Sequence, residues 1–155
     1  RLFVKAIGRL TMLVHQILKA KGDHPVITVT PDTKIGEVAD LLTQRRIGGV
    51  VVSKEGNGVD GILSERDIVR ALSVRGAVCL TMKTEELMTR NPSCCAPGDE
   101  MDAVLQRMTD GRFRHMPVTQ DGVLVGIVTI GDVVKARLDE LSMEKTALED
   151  MIMGR

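Results

Sequence analysis

Aromatic side chains are nearly absent from this sequence, which has two Phe, no Tyr and no Trp in 155 residues. A binder that stacks the bases of single-stranded nucleic acid on aromatic platforms is therefore not expected. A surplus of either charge is also missing, since 21 Lys and Arg balance 21 Asp and Glu. Broad, non-specific nucleic-acid binding needs cations over a whole face, so it too is not expected, although a local basic site remains compatible. No run of 18 apolar residues occurs, and no membrane-crossing helix is expected. The three cysteines, Cys79, Cys94 and Cys95, are odd in number and two are adjacent. They do not read as a disulfide framework, and a reducing cytoplasm is the expected location. His15, His24 and His115 lack metal-ligand spacing and there is no Cys-x-x-Cys, so no metal is expected. Neither glycine-rich phosphate fingerprint is present, and no acid/base pair or nucleophile marks an enzyme.

What is present is a core supply of Val, Leu, Ile and nine Met. At 16.9 kDa the chain is one domain, or two small halves fused. It opens with a basic segment, residues 1–22, containing Arg1, Lys5, Arg9, Lys19 and Lys21 and no acid. Leu2, Phe3, Ile7, Leu10, Leu13, Val14, Ile17 and Leu18 form a helical apolar stripe. Three readings fit it: a helix packed on the folded body or a partner, a mitochondrial targeting remnant, or a membrane-surface helix. The stripe runs straight into the folded part, which favours the first. The first residue is Arg, so the natural start is expected to lie further upstream.

Beyond residue 22 one unit is written twice. Pro31-Asp32-Thr33-Lys34-Ile35-Gly36-Glu37-Val38 lies against Pro97-Gly98-Asp99-Glu100-Met101-Asp102-Ala103-Val104, and Val50-Val51-Val52 against Met116-Pro117-Val118. Gly61-Ile62-Leu63-Ser64-Glu65-Arg66-Asp67 matches Gly126-Ile127-Val128-Thr129-Ile130-Gly131-Asp132, with the second hairpin loop one residue shorter. Each copy predicts a short strand (26–29; 93–96), then a helix after Pro. Apolar spacing marks that helix at Ile35, Val38, Leu41 and Leu42, and at Met101, Val104, Leu105 and Met108. A hairpin follows (49–53 with 61–63; 115–119 with 124–128), and a second helix opens at Ser64 or Thr129. The order is β-α-β-β-α, twice. Each unit exposes an apolar sheet face that its copy can cover, so a pseudo-two-fold pair with clefts between the copies is expected. The boundaries are 1–22 for the N-terminal helical segment, 23–78 and 79–138 for the repeats, and 139–155 for a helical tail. Leu138, Leu141, Leu148 and Ile152 share one face of that tail, as an oligomer contact or as a packed terminal helix.

The doubled Gly-apolar-apolar-Ser/Thr-x-x-Asp pattern, together with Arg114-His115-Met116-Pro117-Val118 entering a strand, resembles a cystathionine-β-synthase (CBS) domain pair. Leu18-Lys19-Ala20-Lys21-Gly22, Ser64-Glu65-Arg66-Asp67 and Ile130-Gly131-Asp132-Val133-Val134 resemble the short stand-alone bacterial type and its plant organellar relatives, which makes an organellar matrix the alternative location. The resemblance covers roughly residues 14–138. It implies an α+β fold, a Bateman-type module of two repeats. It implies a regulatory role rather than catalysis, with an adenosyl ligand in the inter-repeat clefts: AMP first, or NAD(H), ADP, ATP or S-adenosylmethionine. It also implies a homodimer and signalling to a separate protein effector. A dimerisation or scaffold module that binds no nucleotide is the competing expectation.

Seven residues carry the expected site. Ser64 with Asp67, and Thr129 with Asp132, each form a capping box, a hydroxyl at the helix N-cap and an acid three residues on. Either Asp can also accept hydrogen bonds from ribose hydroxyls, while the helix N-terminus favours phosphate. Capping and binding are compatible in one side chain. Arg114 is placed by the resemblance at a phosphate-contacting position, where its planar fork suits phosphate oxygens. His115 adds a pH-dependent donor, and Arg66 lies near enough along its helix to reach the same phosphates. The first copy has Gly48-Gly49 where the second has Arg114-His115, so the two sites are expected to be unequal. Val26, Ile27 and 82–84 are candidates for base recognition by position. Cys94 and Cys95 are expected to face opposite sides of a strand, with one of them in the core.

Overall fold

The computed structural model describes residues 12–22 and 24–154. The basic stretch 1–11, and with it the outer part of the apolar N-terminal stripe, lies outside the described residues. The first element is helix α1, Val14–Lys21. The first repeat then runs β1 (Thr28–Val29), α2 (Ile35–Arg45), β2 (Gly49–Val52), β3 (Gly61–Ser64) and α3 (Glu65–Arg75). A 3-10 turn, Gly76–Thr81, the short helix α4 (Thr84–Leu87) and β4 (Thr89–Arg90) join the repeats. The second repeat has α5 (Met101–Gly111), β5 (His115–Gln120) and β6 (Val123–Thr129), and ends in α6 (Ile130–Ile152). The fold is the expected α+β pair.

The order of the first sheet is β1-β2-β3-β4, with β1 parallel to β2 and the other pairs antiparallel. In the second repeat β5 and β6 form an antiparallel hairpin, and the expected strand over 93–96 contracts to one parallel bridge from Cys95 to Val118. That bridge keeps the register of Val29 with Val52 in the first repeat. The backbone repeats as the sequence does. Ser53 N–H donates to Val29 and Thr119 N–H to Cys95, each at 2.9 Å; Glu65 N–H donates to Gly48 and Ile130 N–H to Arg114, also at 2.9 Å. α2 and α5 end identically, on Arg46 and Arg112 in the left-handed region at φ 53° and 55°.

The apolar spacing read from the sequence settles each helix on its sheet. Ile35, Val38 and Leu42 are buried with Val50, Val52, Leu63 and Ile68 in one core. Met101, Val104 and Met108 are buried with Met116, Val118, Val128 and Val133 in the other. The segments preceding the two repeats are exchanged. Val14 and Ile17 of α1 enter the second core, although α1 precedes the first repeat. Leu80, Met82, Leu87 and Met88, from the stretch that leads into the second repeat's α5, pack on the first core. The same three hydrogen bonds fasten each segment: Val14 to Asp99, His15 to Pro97 and Met101 to Met12 on one side, and Thr84 to Thr33, Glu85 to Pro31 and Ile35 to Met82 on the other. The buried Glu140 accepts the Met12 N–H at 2.6 Å, which ties the start of the described chain to α6.

The tail expected from residue 139 is no separate element. It continues the last helix of the second repeat without a break, because nothing between Ile130 and Ile152 interrupts helical propensity. No helix among the described residues is long and apolar enough to cross a membrane.

Candidate functional site

A cleft of about 1130 Å³ lies between the repeats. Its floor comes from elements that start or end there. α5 closes at Arg112, and three residues later β5 begins, so Arg114 and His115 enter the cleft at the mouth of the strand. His115 pairs with Thr129 across the hairpin, which puts the N-cap of α6 beside it. In the first repeat Gly49 pairs with Ser64 in the same register. The opposite wall carries Val26, Ile27, Ile47, Gly48 and Gly49.

The two N-caps form as the sequence implies. The Ser64 hydroxyl accepts the Asp67 N–H at 3.3 Å, and Asp67 Oδ2 accepts the Ser64 N–H at 2.9 Å. The Thr129 hydroxyl accepts the Asp132 N–H at 3.1 Å, and Asp132 Oδ2 accepts the Thr129 N–H at 2.9 Å. Their surroundings differ. Asp67 Oδ2 also accepts the Ser64 hydroxyl at 3.0 Å. Asp132 Oδ2 takes instead the ammonium of Lys21 at 2.7 Å, and the same ammonium donates to the Ile127 carbonyl at 2.9 Å. The other oxygen of Asp132, Oδ1, accepts no hydrogen bond among the described residues.

Arg114, His115, Thr129 and Asp132 therefore meet in one cleft, whereas Ser64, Arg66 and Asp67 do not line it. Arg66 is exposed on the first turn of α3. Of the positions expected near a base, Val26 and Ile27 line the cleft. Residues 82–84 serve the exchange joint instead. Met82 packs on the first core, and the fully buried Thr84 donates its hydroxyl to the Thr33 carbonyl.

Of the three imidazoles lining the cleft, His15, His24 and His115, that of His115 rests on Gly48-Gly49. A Cβ added at Gly49 would stand 3.2 Å from the ring, and one at Gly48 also 3.2 Å. The absence of side chains at 48 and 49 thus serves a ring from the other repeat. Burial pushes the His115 pKa below the ordinary 6.5, and this outweighs the carboxylates of Glu65 and Asp132, which act the other way. Lys21 and Arg114 add to the lowering. The lowering favours the neutral ring, which offers one donor and one acceptor.

The cleft has a charge that the whole chain lacks. Lys19, Lys21, Arg45, Arg46 and Arg114 line it against Glu65 and Asp132. Such a surplus within a walled space favours an anionic ligand. Lys21, Arg46 and Glu65 were not legible as site residues. Lys21 belonged to a basic helical stretch, and no local pattern tells that this stretch crosses to the second repeat. Among the described residues no group of three metal-ligating side chains is close enough to hold an ion. The cysteines are free. Cys95 is buried, with its thiol pushed up to about 12 mainly by desolvation, and Cys94 is half-buried with its thiol raised for the same reason.

Comparison with known proteins supplies the rest of the frame. The CBS domain family model matches residues 21–74 and 85–139. The mitochondrial CBS domain-containing protein CBSX3 of Arabidopsis thaliana is 32% identical over 148 residues, which is 91% of this chain and 72% of the relative. The crystal structure of the CBS-domain protein ATU1752 from Agrobacterium tumefaciens superposes with a TM-score of 0.77 at 45% identity, covering 81% of this chain and 92% of that one. The CBS domain pair of protein MJ0100, solved with 5′-methylthioadenosine and S-adenosyl-L-methionine, superposes at 0.71 with 29% identity, covering 81% and 94%.

Proposed function

Because this chain belongs to the CBS domain family, with the repeat present twice, we propose that it is a regulatory sensor of an adenine nucleotide, AMP first, that signals to a separate protein. It is a binding module rather than a catalyst. One observation carries the reading. The two repeats close on a cleft that sets a carboxylate-capped helix N-terminus, Thr129 with Asp132, beside the cations Arg114 and Lys21. Asp132 is suited to ribose hydroxyls, and Arg114 and the helix N-terminus to phosphate. Val26 and Ile27 supply apolar surface for a base. The adenosyl ligands bound by MJ0100 support this class of ligand.

Signalling requires the ligand to bind one arrangement of the repeats better than another. The cleft sits where the repeats meet, so a ligand there touches both. Exposed apolar residues support pairing with a second copy: Val69 and Leu72 on α3 and Val134 and Leu138 on α6, of which Val69 and Val134 are equivalent in the two repeats. The three free cysteines support a reducing compartment, the cytoplasm or an organellar matrix.

Calorimetric titration of AMP into the wild type and into Asp132→Ala and Arg114→Ala tests the reading. Each substitution is expected to weaken binding at least about tenfold, or about 1.4 kcal/mol. Unchanged affinity in both folded variants removes these site residues. Absence of heat with AMP, ATP, NAD(H) and S-adenosylmethionine alike gives the nucleotide-independent scaffold the weight.

A further inference from the structure

Lys21 sits on one oxygen of the carboxylate that the proposed ribose contact would use. It is the last residue of α1, which precedes the first repeat, yet its ammonium lies on Asp132 Oδ2 and the Ile127 carbonyl of the second. We propose that Lys21 makes this cleft select phosphate-bearing adenosine ligands over uncharged or cationic ones. The proposal rests on the reading of the cleft as an adenosine site.

The argument is one of charge replacement. Asp132 is only 21% exposed, so its carboxylate is partly desolvated and leans on the ammonium. A ribose diol that gives one hydrogen bond to each oxygen of this carboxylate contests Oδ2, which Lys21 occupies. The ammonium must then give up a charged partner for neutral hydroxyls, which is unfavourable unless the ligand brings an anion of its own. A phosphate does so. The lysine stem is flexible and its head is a point charge with three donors, so it can turn from carboxylate to phosphate without moving α1. α1 itself is held in place by the buried Val14 and Ile17. An adenosine derivative with a neutral thioether offers nothing in exchange, and a sulfonium sets a second positive charge against the first.

The related cap in the first repeat lacks the device. Asp67 Oδ2 is taken up by the Ser64 N–H and hydroxyl, and no cation sits on it among the described residues. The selectivity is therefore confined to the Asp132 cleft and follows from the exchange of segments, which brings Lys21 to this carboxylate.

The test titrates AMP and 5′-methylthioadenosine separately into the whole chain, as wild type, Lys21→Met and Lys21→Arg. The expected wild-type result is a preference for AMP of at least about tenfold. Lys21→Met is expected to lose most of that preference, with AMP weakened and 5′-methylthioadenosine bound as tightly as before or more so. Lys21→Arg is expected to keep it. If both ligands weaken together in Lys21→Met, the lysine is merely structural and the proposal is overturned. An unaltered ratio overturns it as well, while leaving the adenosine site standing. If neither ligand binds any of the three proteins, the adenosine reading falls and takes the proposal with it.

Discussion

At residue scale the pair His115 and Gly49 decides how the repeats touch. They occupy equivalent positions in the two copies, and equivalent positions close to a pseudo-two-fold axis meet each other. Two rings would collide there, so one copy carries the imidazole and the other carries no side chain. The duplication is therefore broken where a second side chain would crowd the first. The same burial sets a pH dependence. The folded-state pKa of His115 is lowered, so in the window between that value and the unfolded value near 6.5 the unfolded chain binds more protons. Stability from this group is fully present above pH 6.5 and is lost as pH falls through the folded pKa. One proton limits the slope to about 1.4 kcal/mol per pH unit. Denaturant unfolding between pH 7.5 and 5.5 should show this loss, and His115→Gln should flatten it. Glu65, Asp132, Lys21 and Arg114 face the ring, and none of them is changed in that comparison.

At the scale of elements, the exchange of the segments before each repeat dominates. α1 is eight residues long, too short to be stable alone, and owes its form to the second core. Leu18 rests on Gly126, where an added Cβ would lie 2.7 Å from the leucine. Ile17→Ala removes a fully packed side chain and is expected to cost about 2–5 kcal/mol. The loss should appear first in the second repeat. Hydrogen exchange at Cys95, Val118 and Val128 is expected to accelerate before exchange at Val29, Val52 and Leu63. Equal acceleration in both cores would mean that α1 supports the whole molecule and not the second core. The hairpin and N-cap of each repeat were readable locally, because turn glycines, strand alternation and the Ser/Thr-x-x-Asp box each act within a few residues. The exchange was not, since nothing in residues 12–21 specifies which repeat they join.

At the scale of the whole molecule, a chain with no net charge concentrates cations in one cleft and apolar side chains on its outer helices. α6 is 23 residues long, or about 35 Å at 1.5 Å per residue. Its second half projects Leu141, Leu148 and Ile152 into solvent at 49%, 59% and 83% exposure. A face of that kind supports association of two copies. Under the proposed pairing of two copies, Leu138→Glu places a charge on this face and is expected to weaken self-association in sedimentation equilibrium at least about tenfold, or about 1.4 kcal/mol. An unchanged mass would remove α6 from the interface.

The repeat, the order β-α-β-β-α, both capping boxes and the buried faces of α2 and α5 were determined by the sequence alone. Each depends on residues within a few positions, or on a copy whose match is visible by eye. Arg114, His115, Thr129 and Asp132 were singled out only by the resemblance and the capping box, together with Ser64, Arg66 and Asp67; that the first four line one cleft and the last three do not was decided by the tertiary structure. Tertiary structure decided what no local pattern contains: that Gly48-Gly49 receives a ring, that Ser64 and Asp67 face a different environment from Thr129 and Asp132, and that Lys21 reaches a carboxylate 111 residues away. The physical reason is common to all three. Packing across the pseudo-two-fold joins residues remote in sequence, and there a side chain's partner depends on which copy it meets.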